Sequence, residues 1–460
     1  MAKSLTQTLA HFASSLRYED LPPATIDAAK RLILDCLGTA LAARALGAGC
    51  HEVLAVMREL GGTPQSSIIG DSAKISAPNA AFANGALVHA LNFDPVGENV
   101  GHTGVVCLAA PLAIAQARAP VTGREFLTAA VVASEIFARV ISSALQPKRL
   151  VYEALLTGQY FAYFGAAAGA GRILGLDPVK MQSAFGLALM QVSGTRQVLA
   201  EGDAPAKAIY GAYPNHSGVL AALLAEAGLG AEIDALEGKA GFYVMTTGVA
   251  LDPKLATDGL GTHYRFLETQ FKPWPTSGII TPFIEAALDL CATHDLKPDD
   301  IEHVGISCTS WMRQWCEPLA ERRSPSNAAA AANSIQFAIA KALVHRRVVL
   351  SDFTPEGLKD EAARNMAQKI DHRFDESAVG GDVAVRTTGG SELRTSVETP
   401  LGDPRRPMSR ERLIAKFRDC CSYVDHLQEK DVDALISLID NLEDANDVSA
   451  LAAAPKGTGN

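Results

Sequence analysis

Residues 1 to about 250 read as one helix after another, and their contact positions are rich in alanine and glycine. Leu5, Leu9, Phe12 and Leu16 fall on one face of a first helix that Ser4 can cap. Pro22 and Pro23 precede a long apolar-periodic run, Ile26 to Leu46. Gly123 to Ala144 is another, with Phe126, Ala130, Val131, Ile136 and Val140 inward, and Leu156 to Leu174 and Val219 to Ala227 continue the series. Gly61-Gly62-Thr63-Pro64 and Asp177-Pro178 punctuate it as turns. Small side chains let helices pack closely. Aromatic residues are only 6% of the chain, which argues against a β-sandwich, whose strands favour aromatic and β-branched residues.

The texture changes after about residue 255. Ile301 to Ser310 alternates like a strand, and Val383–Thr388 and Glu392–Thr399 read as two strands joined at Gly389-Gly390. Helices are expected among them at Thr281–Cys291, Asn327–Val344 and Pro355–Ile370. The chain then turns helical again: Ser409 can cap a helix through Leu413, Ile414 and Phe417, and a last helix covers Asp431 to Leu442. Ala450 to Asn460 reads as a frayed tail. The fold class expected is mainly α: a large all-helical domain, residues 1–255 and 403–460, with an inserted α+β lid domain, residues 256–402.

Charge and cysteine narrow the function classes. Lys plus Arg is 41 and Asp plus Glu is 51, a formal net charge of −10, so the basic footprint of a nucleic-acid binder is lacking. The most apolar stretch, Gly104 to Ala115, is too short to span a bilayer and contains Pro111. The N-terminus has no signal-peptide pattern, and the eight cysteines form no CxxC and no zinc-type spacing. A cytoplasmic protein without partners among nucleic acids or membranes is the expectation.

Several segments can carry chemistry. Asp94 and His102 stand eight residues apart across the loop PVGENVG, and both can face a pocket. The alternative that Asp94 caps the turn and His102 caps the next helix stays open. Lys207, after a Gly/Pro loop, and Lys272, within Phe271-Lys272-Pro273-Trp274-Pro275, can each hold a carboxylate as a point charge. Arg196 and Gln197 can bind an anion or be solvated. The run Gly165 to Arg172 is not a dinucleotide loop, because Leu174 stands where the third glycine is needed; its small residues fit close helix packing. Walker A, GxSxG and HExxH motifs are absent.

In this order, NAAFANGALVHALNFD, GHTGVVCLAAPLAIA, GAAAGAGRILGLD, AKAIYGAYPNHSGVLAALLAEAG, FKPWPTSGIITPFIEAALDL, NSIQFAIAKAL and LGDPRRPMSRERLIAKF resemble the MmgE/PrpD family over residues 5–445. The resemblance implies a helical domain plus an α+β lid, a homodimer, and no metal or organic cofactor. Members include 2-methylcitrate dehydratase, cis-aconitate decarboxylase and iminodisuccinate epimerase, which act on small polycarboxylates at carbons next to a carboxylate. It implies His102 as the acid/base group, Asp94 as its orienting partner, and Lys207 and Lys272 as catalytic or carboxylate-binding residues; Arg196, near Lys207 in sequence, and Ser277, in the segment after Lys272, are also set against substrate.

The chain departs from the family pattern at several places. Pro95 stands where a second Asp is usual, Thr103 where Pro follows the loop His, and no His occurs near Leu156-Thr157. Ser277 and Thr281 occupy positions where the family often has His, and Phe337 replaces a Tyr. The reading that follows is a cofactor-independent lyase acting next to a carboxylate, with a 2-methylcitrate dehydratase-like hydro-lyase first. An isomerase, epimerase or decarboxylase on a less charged substrate, and a non-catalytic small-acid-binding protein, are the alternatives.

Overall fold

A computed structural model describes residues 3–144, 155–200, 204–248, 251–425 and 427–452. The chain is mainly α, with an α+β portion, and it divides into two compact units. The first takes Met1–Ala90, Asp94–Thr269 and Arg410–Asn460; the second takes Leu91–Phe93 and Gln270–Ser409.

The first unit is built of helices. Ser4 caps the Leu5–Ser15 helix through a reciprocal pair of hydrogen bonds with Gln7. The Pro23–Leu46 helix starts on Pro23, whose missing N–H is no loss in a first turn. Gly123–Ala144 is opened by a Thr122–Glu125 capping pair, and its residues from Phe126 to Ala144 are all buried. Each fully buried Phe or Ile there contributes about 2 kcal/mol relative to exposure. By length and composition it is the one described helix that could cross a membrane, yet the protein itself buries it throughout.

The run from Leu156 to Leu174 forms two helices, Thr157–Tyr160 and Ala162–Ile173. The second packs on Gly123–Ala144 and on Ala212–Glu226. A Cβ on Gly165 would lie 2.7 Å from the Ala133 carbonyl oxygen, so the glycine run serves close packing, as its sequence suggests.

A buried ion pair anchors the Gly123–Ala144 helix to residues that follow it. Glu135 and Arg139, one turn apart and fully buried, meet at 2.5 Å. The Arg139 guanidinium also donates to the carbonyls of Ala256, Asp258 and His263, while Glu135 accepts from the Phe266 N–H. Residues 256–266, which the sequence places after the change of texture, are thereby tied to the helical core.

In the first unit two short strands, β1 (Ser66–Ser67) and β2 (Lys74–Ile75), pair antiparallel. In the second unit β3 is Ile301–Cys308, β4 Ile370–Phe374, β5 Gly381–Thr387 and β6 Glu392–Val397, forming one sheet in the order β4-β3-β5-β6. β4 runs parallel to β3, and the other pairs are antiparallel. β5 and β6 form the expected hairpin, with Gly390 at φ +84° in its turn. The Thr281–His294 and Ile335–His345 helices pack together, Thr281–His294 against β5 and β6 and Ile335–His345 against β4.

Three expectations need correction. Asn327–Val344 is two helices, Ala328–Ala332 and Ile335–His345, because Ser334 accepts from the Phe337 N–H and starts a new one. Pro355–Ile370 holds a short 3-10 helix, Gly357–Lys359, and an α-helix only from Glu361 to Gln368, and Ile370 opens β4. Val448–Ala452 is a 3-10 turn with Val448, Leu451 and Ala452 buried, held by the Gly70 N–H on the Ala452 carbonyl, so the expected tail is ordered as far as Ala452. Residues 453–460 lie outside the described residues.

Candidate active site

The site grows from a helix end. The Ala77–His89 helix is buried along one side by Ala80, Ala81, Asn84, Gly85 and Val88, and it closes on His89. One turn earlier, Gly85 meets Gly211 backbone to backbone. A Cβ on Gly85 would lie 2.4 Å from the Gly211 oxygen, and a Cβ on Gly211 would lie 2.5 Å from the Gly85 oxygen. Only glycine allows this approach. Asn215, fully buried, locks the same corner: its amide donates to the carbonyls of Val105 and Gly211 and accepts from the Ala110 N–H. Tyr210, next to Gly211, is thus set on His89, with ring centroids 3.9 Å apart.

After His89 the chain turns, with Asn92 in the left-handed region at φ +51°. Asp94 then presents its carboxylate to two imidazoles. Oδ1 lies 2.9 Å from His89 Nδ1, and Oδ2 lies 2.8 Å from His102 Nδ1. The loop between Asp94 and His102 is pinched by a pair of 2.9 Å hydrogen bonds between Gly97 and Gly101, which brings His102 back to Asp94. Thr103 continues the anchoring through a 2.8 Å hydroxyl contact with Thr269. The capping alternative is therefore corrected: Asp94 faces the two histidines, and Thr103, not His102, precedes the next helix.

Burial differs along this chain of rings, and so does protonation. Asp94 and His89 are fully buried, while the His102 side chain is 21% exposed. Burial pushes the Asp94 carboxyl up, but His89 and His102 outweigh it and hold the group well below the ordinary carboxylate range. Burial pushes His89 down to about 3, against the pull of Asp94. Burial and then the Asp94 charge push the Tyr210 hydroxyl well above its usual value. Near neutral pH, Asp94 is a carboxylate and His89 a neutral ring. An ionised Asp94 accepts on both oxygens, so both Nδ1 atoms carry the protons.

His89, Asp94 and His102 place three donor atoms within 4.8 Å of one another, a spacing a small cation can use. Both Nδ1 atoms are instead engaged on the two carboxylate oxygens, which makes a hydrogen-bonded chain. The chemistry such a chain can do is proton transfer at the ring with more solvent access, backed by a buried carboxylate.

Of the residues expected from sequence, Asp94 and His102 meet directly. Lys207, on the 3-10 helix Pro205–Ile209 and 9% exposed, adds its charge to the same group by acting on His89. Arg196 is half-buried just after the Leu155–Thr195 bridge, and Gly202 and Asp203 lie outside the described residues. Lys272 and Ser277 belong to the second unit. Lys272 is fully buried there and donates from Nζ to Asn92, to the carbonyl at 2.7 Å and the side-chain oxygen at 3.3 Å. Ser277 is half-buried, its N–H on the Ala332 carbonyl. Thr276 and Thr281 are fully buried with hydroxyls that have no partner among the described residues. Phe337 is core, packed edge-on to Phe353.

Sequence reasoning missed His89 and Tyr210. His89 carried a weak signal, five residues before Asp94 at the end of the same helical segment. Tyr210 carried none, since only the Gly85–Gly211 approach brings it near.

The MmgE/PrpD N-terminal domain family matches residues 7–252, and the MmgE/PrpD C-terminal domain family matches residues 274–444. A cis-aconitate decarboxylase of Aspergillus terreus is 27% identical over 485 aligned positions, covering 99% of this chain and 97% of its own length. The cis-aconitate decarboxylases of Mus musculus and Homo sapiens are 24% and 25% identical, each over 99% of this chain and 94% and 95% of their own.

Proposed function

The chain belongs to the MmgE/PrpD family, and from that premise we propose that it is a cofactor-independent lyase acting next to a carboxylate of a small polycarboxylic acid. The observation that carries this reading is the partly exposed His102 ring held by a buried carboxylate. Such a pair delivers or accepts one proton at one place.

Decarboxylation of an unsaturated polycarboxylate needs no more than that. The bond between the carbon chain and the departing carboxylate breaks, carbon dioxide leaves, and the electron pair spreads into the remaining conjugated system. The protonated His102 then gives its Nε2 proton to carbon, and the ring is reprotonated from solvent. Lys207 is the cation that holds a carboxylate of the substrate. The similarity to cis-aconitate decarboxylases supports this order of preference over the 2-methylcitrate dehydratase type. Dehydration is the second reading, and Lys207 favours it: removal of an α-proton by His102 needs a second acid for the leaving hydroxyl, and a lysine acting on the same group is a candidate. Lys272 and Arg196 as substrate-binding residues rest on their charge and sequence setting, and Ser277 on its place after Lys272. The homodimer rests on the resemblance alone, while the cytoplasmic address is supported by eight cysteines that are all thiols.

The test is incubation with cis-aconitate, 2-methylcitrate and related acids in deuterium oxide, followed by NMR and carbon dioxide release. Decarboxylation gives carbon dioxide and one deuterium on the product. Loss of water without carbon dioxide assigns the hydro-lyase. His102→Ala removes either activity while the fold persists. Tight binding of these acids without exchange, or full activity in His102→Ala, overturns the reading.

A further inference from the structure

We infer that His89 is a positioning residue for the proton step, fixing the Asp94 carboxylate so that one oxygen is aimed at His102. The inference rests on the assignment of His102 as the proton carrier and adds a residue to it.

A carboxylate with a single donor can turn about its last bond and offer either oxygen. Asp94 cannot, because His89 Nδ1 engages Oδ1 at 2.9 Å while His102 Nδ1 engages Oδ2 at 2.8 Å. His89 is itself immobile. It is 1% exposed, lies against Tyr210 at 3.9 Å between ring centroids, and follows the glycine pair that leaves no slack between the two backbones. The two histidine rings stand edge to face, 4.9 Å apart, so they share one carboxylate without touching in plane.

The surroundings keep His89 from competing for the proton. The groups that bear on it are Asp94, His102 and Lys207, with Tyr210 as a neutral phenol above it. Cys36, a fully buried thiol, faces Asp94 from the Pro23–Leu46 helix. Asp94 attracts a proton to His89, whereas burial, Lys207 and His102 oppose it, and the second set wins. His89 Nε2 and the Tyr210 hydroxyl have no hydrogen-bond partner among the described residues, so His89 passes no proton onward through a described hydrogen bond. Its one engaged atom is the Nδ1 proton on Asp94. That is the arrangement in which an outer residue orients an acid/base pair and does not join the chemistry.

The test compares His89→Phe, which keeps a ring but loses the donor, with His89→Asn, whose side-chain N–H can stand where Nδ1–H stood. In His89→Phe we expect kcat to fall about tenfold or more with KM within about twofold. The basic limb of kcat/KM, set by the protonated His102, should move to higher pH, since Asp94 then concentrates its charge on His102. His89→Asn should restore both. Nitrogen-15 NMR of the resting wild-type protein should find His89 as the neutral Nδ1–H tautomer from pH 5 to 8. A folded His89→Phe with unchanged kcat and unchanged limb, or an Nε2–H or titrating His89 in the wild type, overturns the inference. The NMR readout needs no substrate, so it decides this point even if His102→Ala proves active and the functional reading falls.

Discussion

Acidification should cost this protein stability through His89, by an amount the structure sets. Folding lowers His89 from the ordinary 6.5 to about 3. Between those values the unfolded chain binds a proton that the folded chain does not, so stability rises with pH and is lost as pH falls. The slope approaches about 1.4 kcal/mol per pH unit, and by pH 5, roughly 1.5 units below the unfolded value, the loss is about 2 kcal/mol. Asp94 does not contribute in this window. Its folded value is depressed below the ordinary 3.8, so its stabilising effect is complete at pH 5 and disappears only at lower pH. Urea unfolding at pH 7, 6 and 5 of the wild type and His89→Asn isolates the term, because all other groups titrate alike in both. The wild type should lose about 2 kcal/mol more than the variant between pH 7 and pH 5. Parallel losses would mean that His89 is not held neutral, and the protonation pattern drawn for the site would be wrong.

Other perturbations reach the same site from different sides. Asp94→Asn presents an amide donor to one of the two Nδ1–H groups, which forces the wrong tautomer on a histidine; kcat/KM should fall by about a thousandfold or more with KM little changed, and steady-state kinetics retaining over a tenth of the activity would refute the role. Gly85→Ala puts a Cβ 2.4 Å from the Gly211 oxygen, where ordinary contact is 3.4 Å or more, so the two backbones must part by 3.4 − 2.4 = 1.0 Å. The cost should be about 1–3 kcal/mol, seen as a lower Tm together with a lower kcat as Tyr210 and His89 separate, and an unchanged Tm would sink it.

The helical unit was legible because its periodicity is strong and locally capped. Ser4 with Gln7 and Thr122 with Glu125 mark helix starts that the sequence itself displays. What failed was the boundary between states in the second unit. Ile370–Phe374 follows the Glu361–Gln368 helix after one residue, and only its pairing with β3 makes it a strand. Ser334 reads as helix interior in the sequence, but its hydroxyl donates to the Arg322 carbonyl and accepts from the Phe337 N–H, which starts a new helix. At the site, Asp94 and His102 were visible because a short loop joins them. His89 showed only as a histidine five residues before Asp94, and Tyr210 not at all, because its contact with His89 across more than a hundred residues is decided by two glycines whose importance appears only when backbones meet.

The grip of Lys272 on Asn92 bears on how variants at position 272 are to be interpreted. A non-glycine residue in the left-handed region carries strain, and here an ammonium group offsets it by bonding both the main-chain and the side-chain oxygen of that residue. A Lys272→Ala enzyme that is dead would therefore report a relaxed turn as readily as a lost substrate contact. Chemical rescue separates the two: a small alkylamine that refills the cavity restores the turn and lifts kcat at unchanged KM, whereas a lost substrate contact appears first as a raised KM.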